Sequence, residues 1–157
     1  TVRRMADEGH QIGLHTWDHV SLSSLSPAAI NGQLDQTRSC LQDLLGPEDF
    51  MLRPPYGFVD KTLSQCAHAP IICWSVDTED WKDKNVARIV QTVTDNVQDG
   101  SIILMHDIFD TSVDAALQCV DQLMAQGYYF VTVEQLFALR GEVPEDGTVY
   151  QSLPAPS

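Results

Sequence analysis

Two histidines stand four residues apart in the stretch HTWDH, at His15 and His19. Imidazoles at that spacing can reach one divalent cation if the chain turns their rings to the same side. The plainer alternative is a pair of surface or capping histidines. Three further stretches carry reactive side chains. RPPYG, at 53–57, stiffens the backbone with two prolines and then turns it. Such a segment can hold an arginine and a backbone N–H in fixed positions, or it can be an ordinary strand exit with an exposed Arg53. DTEDW, at 77–81, sets carboxylates beside a large aromatic, or forms a solvated acidic loop. LMHD, at 104–107, presents a histidine that can move protons near neutral pH if a carboxylate orients its ring. Its alternative is a packing histidine, which is also the reading for His10 and His68.

Each stretch follows a short apolar run. The runs QIGLH (11–15), FMLRP (50–54), PIICWSV (70–76), SIILMH (101–106) and YYFVTV (128–133) read as strands. Most are nearly continuous in apolar residues, as expected for strands covered on both faces. Helical patterns separate them. Ser26 and Pro27 open one that Gly46-Pro47 closes, and Asn85 opens another that runs toward Gly100. Residues 112–126 carry an apolar stripe of Val113, Leu117, Val120 and Met124. Thr132 and Gln135 have capping-box spacing before a last short helix. Alternation of strand and helix predicts parallel strands with right-handed crossovers, either in an open sheet or in a barrel. Both architectures gather functional residues at the C-terminal strand ends, where His15, Arg53, Asp80 and His106 fall.

The chain has 157 residues and a net charge of −13. That length suits one domain with a sizeable core. The charge excludes the basic footprint of a nucleic-acid binder and disfavours an anionic membrane surface. No apolar run reaches the length of a membrane span. Four cysteines, Cys40, Cys66, Cys73 and Cys119, have no CxxC spacing. They read as buried, unpaired thiols.

Taken in order, HTWDH, RPPYG, DTEDW and LMHD resemble four of the motifs of the polysaccharide deacetylases with NodB homology, carbohydrate esterase family 4. The resemblance runs from the first residues to about Arg140. It implies a distorted (β/α) barrel and a metal-dependent hydrolase that removes N-acetyl groups from a polysaccharide. His15 and His19 would be ligands of a divalent metal, zinc first and cobalt second, with Thr16 supporting the loop. Arg53 would orient a catalytic-base carboxylate. Pro54 and Pro55 would form a groove wall, and the Tyr56 N–H would help hold an oxyanion. Asp80 would tune His106, the general acid. Trp81 and Leu104 would line a pocket for the acetyl methyl. Asp77 is open between supporting Arg53 and shaping the mouth of the site, and Asp107 has no catalytic role.

One motif of that family is absent. No TFDD-like segment, source of the base and of the third metal ligand, occurs in the sequence. The opening TVRRMADEGH also reads as a helix without a preceding strand. The expectation is therefore a barrel incomplete at its N-terminus, with residues 1–141 as the C-terminal portion of a deacetylase domain and 142–157 as a tail or linker. The missing segment would be a partner of this one, as a separate fragment or in a longer chain. The expected substrate is peptidoglycan, through its N-acetylglucosamine units, with an extracellular or cell-envelope location. Acetylated xylan and chitin oligosaccharides are the alternatives within the same chemistry. A non-catalytic carbohydrate-binding remnant is the alternative outside it.

Overall fold

A computed structural model describes residues 1–155. In chain order the elements are α1 (Val2–Asp7), α2 (Pro27–Leu45), α3 (Lys61–Cys66), β1 (Ile71–Ile72), β2 (Val76–Asp77), α4 (Asp80–Asp83), α5 (Val86–Asn96), β3 (Ile103–Leu104), α6 (Asp110–Ala125), α7 (Val133–Arg140) and β4 (Val149–Tyr150). They belong to two compact units. The first comprises Thr1–Cys73 with Thr132–Tyr150, and the second Trp74–Val131 with the stretch from Gln151.

The first unit is built on parallel strand segments. Leu14 bridges Leu52, Leu52 bridges Ile71, and Ile71 pairs with Val149, all in parallel. Leu14, Leu52 and Ile71 are fully buried, together with Ile30 and Leu34 of α2 and Phe137 of α7. Successive side chains on a strand point to opposite faces. The residues that follow Leu14 and Leu52 therefore emerge from the core, and they are His15 and Arg53. The helix ends obey local chemistry. Ser26 accepts from the Ala29 amide at the start of α2, and Thr132 and Gln135 form the expected capping box of α7.

The second unit packs α5 against α6. Ile89, Val90 and Val93 meet Ala115, Cys119 and Leu123, with Val76 of β2 beneath. The stripe expected to face inward on α6 does not. Val113, Leu117 and Met124 are exposed. The bulky face of α5 needs small partners for two helices to approach at interior density, so Ala115 and Cys119 take the inner positions. β2 and β3 pair in parallel, with Val76 opposite Ile103 and Asp77 opposite Leu104.

Several strand expectations are corrected. The runs 11–15 and 50–54 hold one bridge residue each, Leu14 and Leu52. The run 70–76 breaks into β1 and the start of β2, because its two ends pair with different strands, β4 and β3. Residues 128–133 form no strand. A strand exists only where a neighbour accepts its ladder, and none pairs with this run among the described residues. Among the described residues, neither unit alone closes a ring of strands. The cysteine expectation holds for Cys73 and Cys119, whereas Cys40 is exposed on α2.

Residues 142–155 are not a loose end; the last two residues of the expected tail lie outside those described. β4 pairs with β1, Tyr150 packs edge-on against Phe137 at 4.8 Å, and Leu153 is 2% exposed. Gly147 shows how closely this stretch is drawn in. Its φ is +70°, and a Cβ there would lie 2.1 Å from the Ser64 carbonyl oxygen. Gly147→Ala is expected to destabilise the protein by about 2 kcal/mol or more, through clash and left-handed strain together. A fall in the urea midpoint at unchanged slope checks this, and an unmoved midpoint refutes it. No helix among the described residues is long and apolar enough to cross a membrane.

Candidate functional site

HTWDH leaves the first unit's core at Leu14 and forms an irregular loop. Thr16 and His19 both have positive φ, 64° and 54°. That backbone costs on the order of 1 kcal/mol or more at each non-glycine residue, and it persists where the surroundings impose it. Its effect here is to bring the two rings together. The His15 and His19 ring centroids are 4.9 Å apart, edge to face, and both residues are exposed. His15 Nδ1 lies 2.6 Å from the Arg53 carbonyl oxygen. That bond makes Nδ1 the protonated nitrogen and gives Nε2 the lone pair, as in metal-ligating histidines held from behind.

The second edge of this half is RPPYG. Pro54 and Pro55 are buried, and Tyr56 has φ 64°. The Tyr56 hydroxyl makes a long contact of 3.5 Å to the His19 carbonyl, and its ring stands 5.2 Å from the His19 ring. Arg53 turns its guanidinium inward to the carbonyls of Ile72, at 3.3 Å, and Cys73, at 3.5 Å. Burial pushes the guanidinium below its ordinary pKa, against a smaller opposing influence of the Cys73 thiol. Thr16 does not support the loop by hydrogen bonding. It is buried, and its hydroxyl has no partner among the described residues.

In the second unit the β2–β3 register sets Asp77 beside Leu104, so the residues just beyond, Asp80 and His106, come side by side. One Asp80 oxygen accepts from the His106 amide at 2.6 Å, and the other lies 2.7 Å from His106 Nδ1. The Asp80 side chain is 0% exposed and that of His106 36%. Burial alone pushes the Asp80 carboxyl up. The Ser112 hydroxyl, the His106 ring and the His106 amide together outweigh it and hold the carboxyl below the usual carboxylate range. The Ser112 contact is a loose one, outside strict hydrogen-bond geometry. Trp81 is half exposed, whereas Leu104 is buried and its carbonyl accepts from the Thr78 hydroxyl at 2.8 Å. Asp77 is engaged locally, accepting from the Trp74 indole and the Glu79 amide.

Three contributors were not singled out from the sequence. Gln33, on α2, accepts from the amides of Trp17 and Asp18. Arg88, on α5, holds the Thr78 and Glu79 carbonyls at 2.8 and 3.0 Å and the Asp83 carboxylate at 2.8 Å, so it fixes the loop that carries Asp80. Ser112 is the third. Only for Arg88 was there a signal: a cation in a first helical turn just after an acidic loop.

His15 and His19 fit two corners of a divalent metal site. Both rings offer nitrogen donors on a strained loop, with one ring oriented by a carbonyl. Among the described residues no group of three His, Cys, Asp or Glu side chains forms around them. Asp80 with His106 fits a proton-transfer pair, in which a buried carboxylate fixes ring orientation and tautomer.

The chain is similar to known proteins. A profile of the polysaccharide deacetylase family matches residues 1–69. The peptidoglycan-N-acetylglucosamine deacetylase PgdA of Listeria monocytogenes is 40% identical over 149 residues, which are 95% of this chain. The chain spans 31% of that protein's length. The structure of a T48 deacetylase with substrate superposes with a TM-score of 0.90 at 39% identity, over 96% of this chain and 74% of the other. A family 4 acetyl xylan esterase from Clostridium thermocellum, in complex with a cobalt ion, superposes at 0.89 with 31% identity, over 98% and 77%.

Proposed function

Since this chain belongs to the polysaccharide deacetylase family, we propose that it takes part in hydrolysing N-acetyl groups from the N-acetylglucosamine units of peptidoglycan. The observation that carries the reading is the Asp80–His106 pair. A surface that only bound glycan would not need a buried carboxylate fixing both the amide and the ring of one histidine.

The roles we propose combine the geometry of each half with the family resemblance. His15 and His19 would hold a divalent ion, zinc in our reading and cobalt as the substitute. Such an ion supplies Lewis acidity toward water and toward the acetyl carbonyl. The two imidazoles need a third donor, and we assign it to an aspartate outside this sequence, together with the base carboxylate that Arg53 would orient. Tyr56, turned by its left-handed backbone, would donate its N–H to the developing oxyanion. Pro54 and Pro55 would give that segment its rigid wall. Trp81 and Leu104 would accommodate the acetyl methyl. His106 Nε2 would pass a proton to the departing amine nitrogen, while Asp80 keeps the ring oriented through Nδ1. A peptidoglycan substrate places the reaction at the cell envelope or outside the cell.

A second reading has one specific support, the likeness to an acetyl xylan esterase. Ester and amide carbonyls pass through similar tetrahedral oxyanions, so the same residues could remove O-acetyl groups. Acetate release decides between them. The complete zinc-loaded protein is expected to release acetate fastest from peptidoglycan, more slowly from chitin oligosaccharides, and least from acetylated xylan. Release from xylan alone would establish the esterase instead. No release from any polymer by metal-loaded protein would leave a non-catalytic carbohydrate-binding module.

A further inference from the structure

We propose that Gln33 is a positioning residue that locks the two histidines of HTWDH into metal-binding geometry; this rests on the reading of His15 and His19 as ligands. Gln33 Oε1 accepts from the Trp17 amide at 2.9 Å and from the Asp18 amide at 3.0 Å. Its Nε2 donates to Asp18 Oδ2 at 2.8 Å. One side-chain amide thus makes three bonds to the middle of the loop, between the two imidazoles.

The loop needs such a latch. It has positive φ on both sides of that middle, at Thr16 and His19, and the Thr16 hydroxyl gives it no hydrogen bond. Its ends are tied by the His15–Arg53 bond and by the long contact of the Tyr56 hydroxyl to the His19 carbonyl. Gln33 stands on a helix whose adjacent Leu34 is buried along with Ile30, so the anchor is rigid. The residue type follows from the bond pattern. Two loop N–H groups need an acceptor and the Asp18 carboxylate needs a donor, and glutamine carries both at the end of a side chain long enough to cross from helix to loop. Outer groups that orient ligating histidines typically change metal affinity by about 10- to 100-fold when removed.

The test uses the complete protein and reads the zinc dissociation constant by chelator competition. The visible absorption of the cobalt-substituted protein and the melting temperature accompany it. Gln33→Ala is expected to raise the dissociation constant about 10-fold and to perturb the cobalt spectrum. Gln33→Glu keeps an acceptor for the two amides but loses the donor and sets two carboxylates together, so it should weaken binding similarly. Adding Asp18→Asn to Gln33→Glu restores a donor–acceptor pair with the partners exchanged, and should return affinity to within about 3-fold of the parent. Rescue in that double variant is the outcome that a general role in folding does not produce. If Gln33→Ala does not fold, the Gln33→Glu and double variants still give the answer. Tight zinc binding by the parent with an unchanged constant in folded Gln33 variants overturns the proposal and leaves the ligand reading intact. No zinc binding by the parent overturns both.

Discussion

His106→Ala is expected to lower kcat by about 10²- to 10⁴-fold while the protein keeps its metal, because a positioned general acid contributes a factor of that order. Departure of an amine from a tetrahedral intermediate requires a proton on nitrogen, and His106 is the group whose ring is fixed for delivering one. His15→Ala is expected to behave differently. It removes a nitrogen donor, so metal affinity should fall further than the roughly 10- to 100-fold typical of an outer partner. Activity then falls through loss of the ion, and excess metal partly restores it. Metal content of the two purified variants, measured beside single-turnover rates, separates the roles. Equal metal loss in both would show that they have been misassigned.

Asp80→Asn should be almost as damaging, for a different reason. The Asp80 carboxylate accepts two hydrogen bonds, one from an amide and one from a ring nitrogen. A carboxamide has one accepting and one donating end. If its oxygen keeps the His106 amide, its NH₂ meets Nδ1 and forces the proton to Nε2 in the neutral ring. A change of that kind in a carboxylate–histidine pair can lower kcat by on the order of 10³- to 10⁴-fold with little movement of atoms. Retention of parental kcat in a folded Asp80→Asn protein would remove the carboxylate from the mechanism.

The same substitution has a consequence for acid stability. The folded-state pKa of Asp80 is depressed, since its hydrogen bonds outweigh the effect of burial. Its stabilisation is therefore complete above the unfolded carboxyl pKa of about 3.9, and it is lost as pH falls through the folded value. Asp83 is also lowered, chiefly by its hydrogen bond to Arg88, and acts in the same direction. Asp80→Asn should thus flatten part of the stability loss below about pH 4 and leave the part due to Asp83. Urea midpoints between about pH 2 and 5 would show it, and an unchanged acid slope would contradict the linkage.

The reactive residues were legible because they lie in short stretches that each follow an apolar run. What positions them was less so. Gln33 acts on a loop some fifteen residues earlier and leaves no local pattern, and Arg88 leaves only a cation placed just after an acidic loop whose shape depends on β2 and β3 pairing. Helix ends were readable where one side chain meets a nearby amide, as at Ser26 and Thr132. Strands were readable only in part: β1, the start of β2 and β3 fall within expected runs, but a strand's extent is defined by its neighbour. YYFVTV has the composition of a strand and no strand partner among the described residues, whereas Val149 and Tyr150 sit in an unpromising tail and have one in β1. The inner face of α6 does not follow side-chain size, since Ala115 and Cys119 as well as Leu123 pack against α5.

The pairing of β1 with β4 also sets an order of events in folding. Ile71 joins Val149, half the chain away. On the ribosome, β1 emerges long before its partner is synthesised. Until Val149 is available it presents a bare apolar edge, of the kind chaperones bind and aggregates recruit. The α5–α6 pair, by contrast, joins segments close in sequence and can collapse early. Closure of the long loop carries the larger entropy cost, so the β1–β4 pairing is expected to form after the α5–α6 pair. The step expected to limit folding of the first unit is thus the pairing of β1 with β4, distant in sequence from the histidine loop.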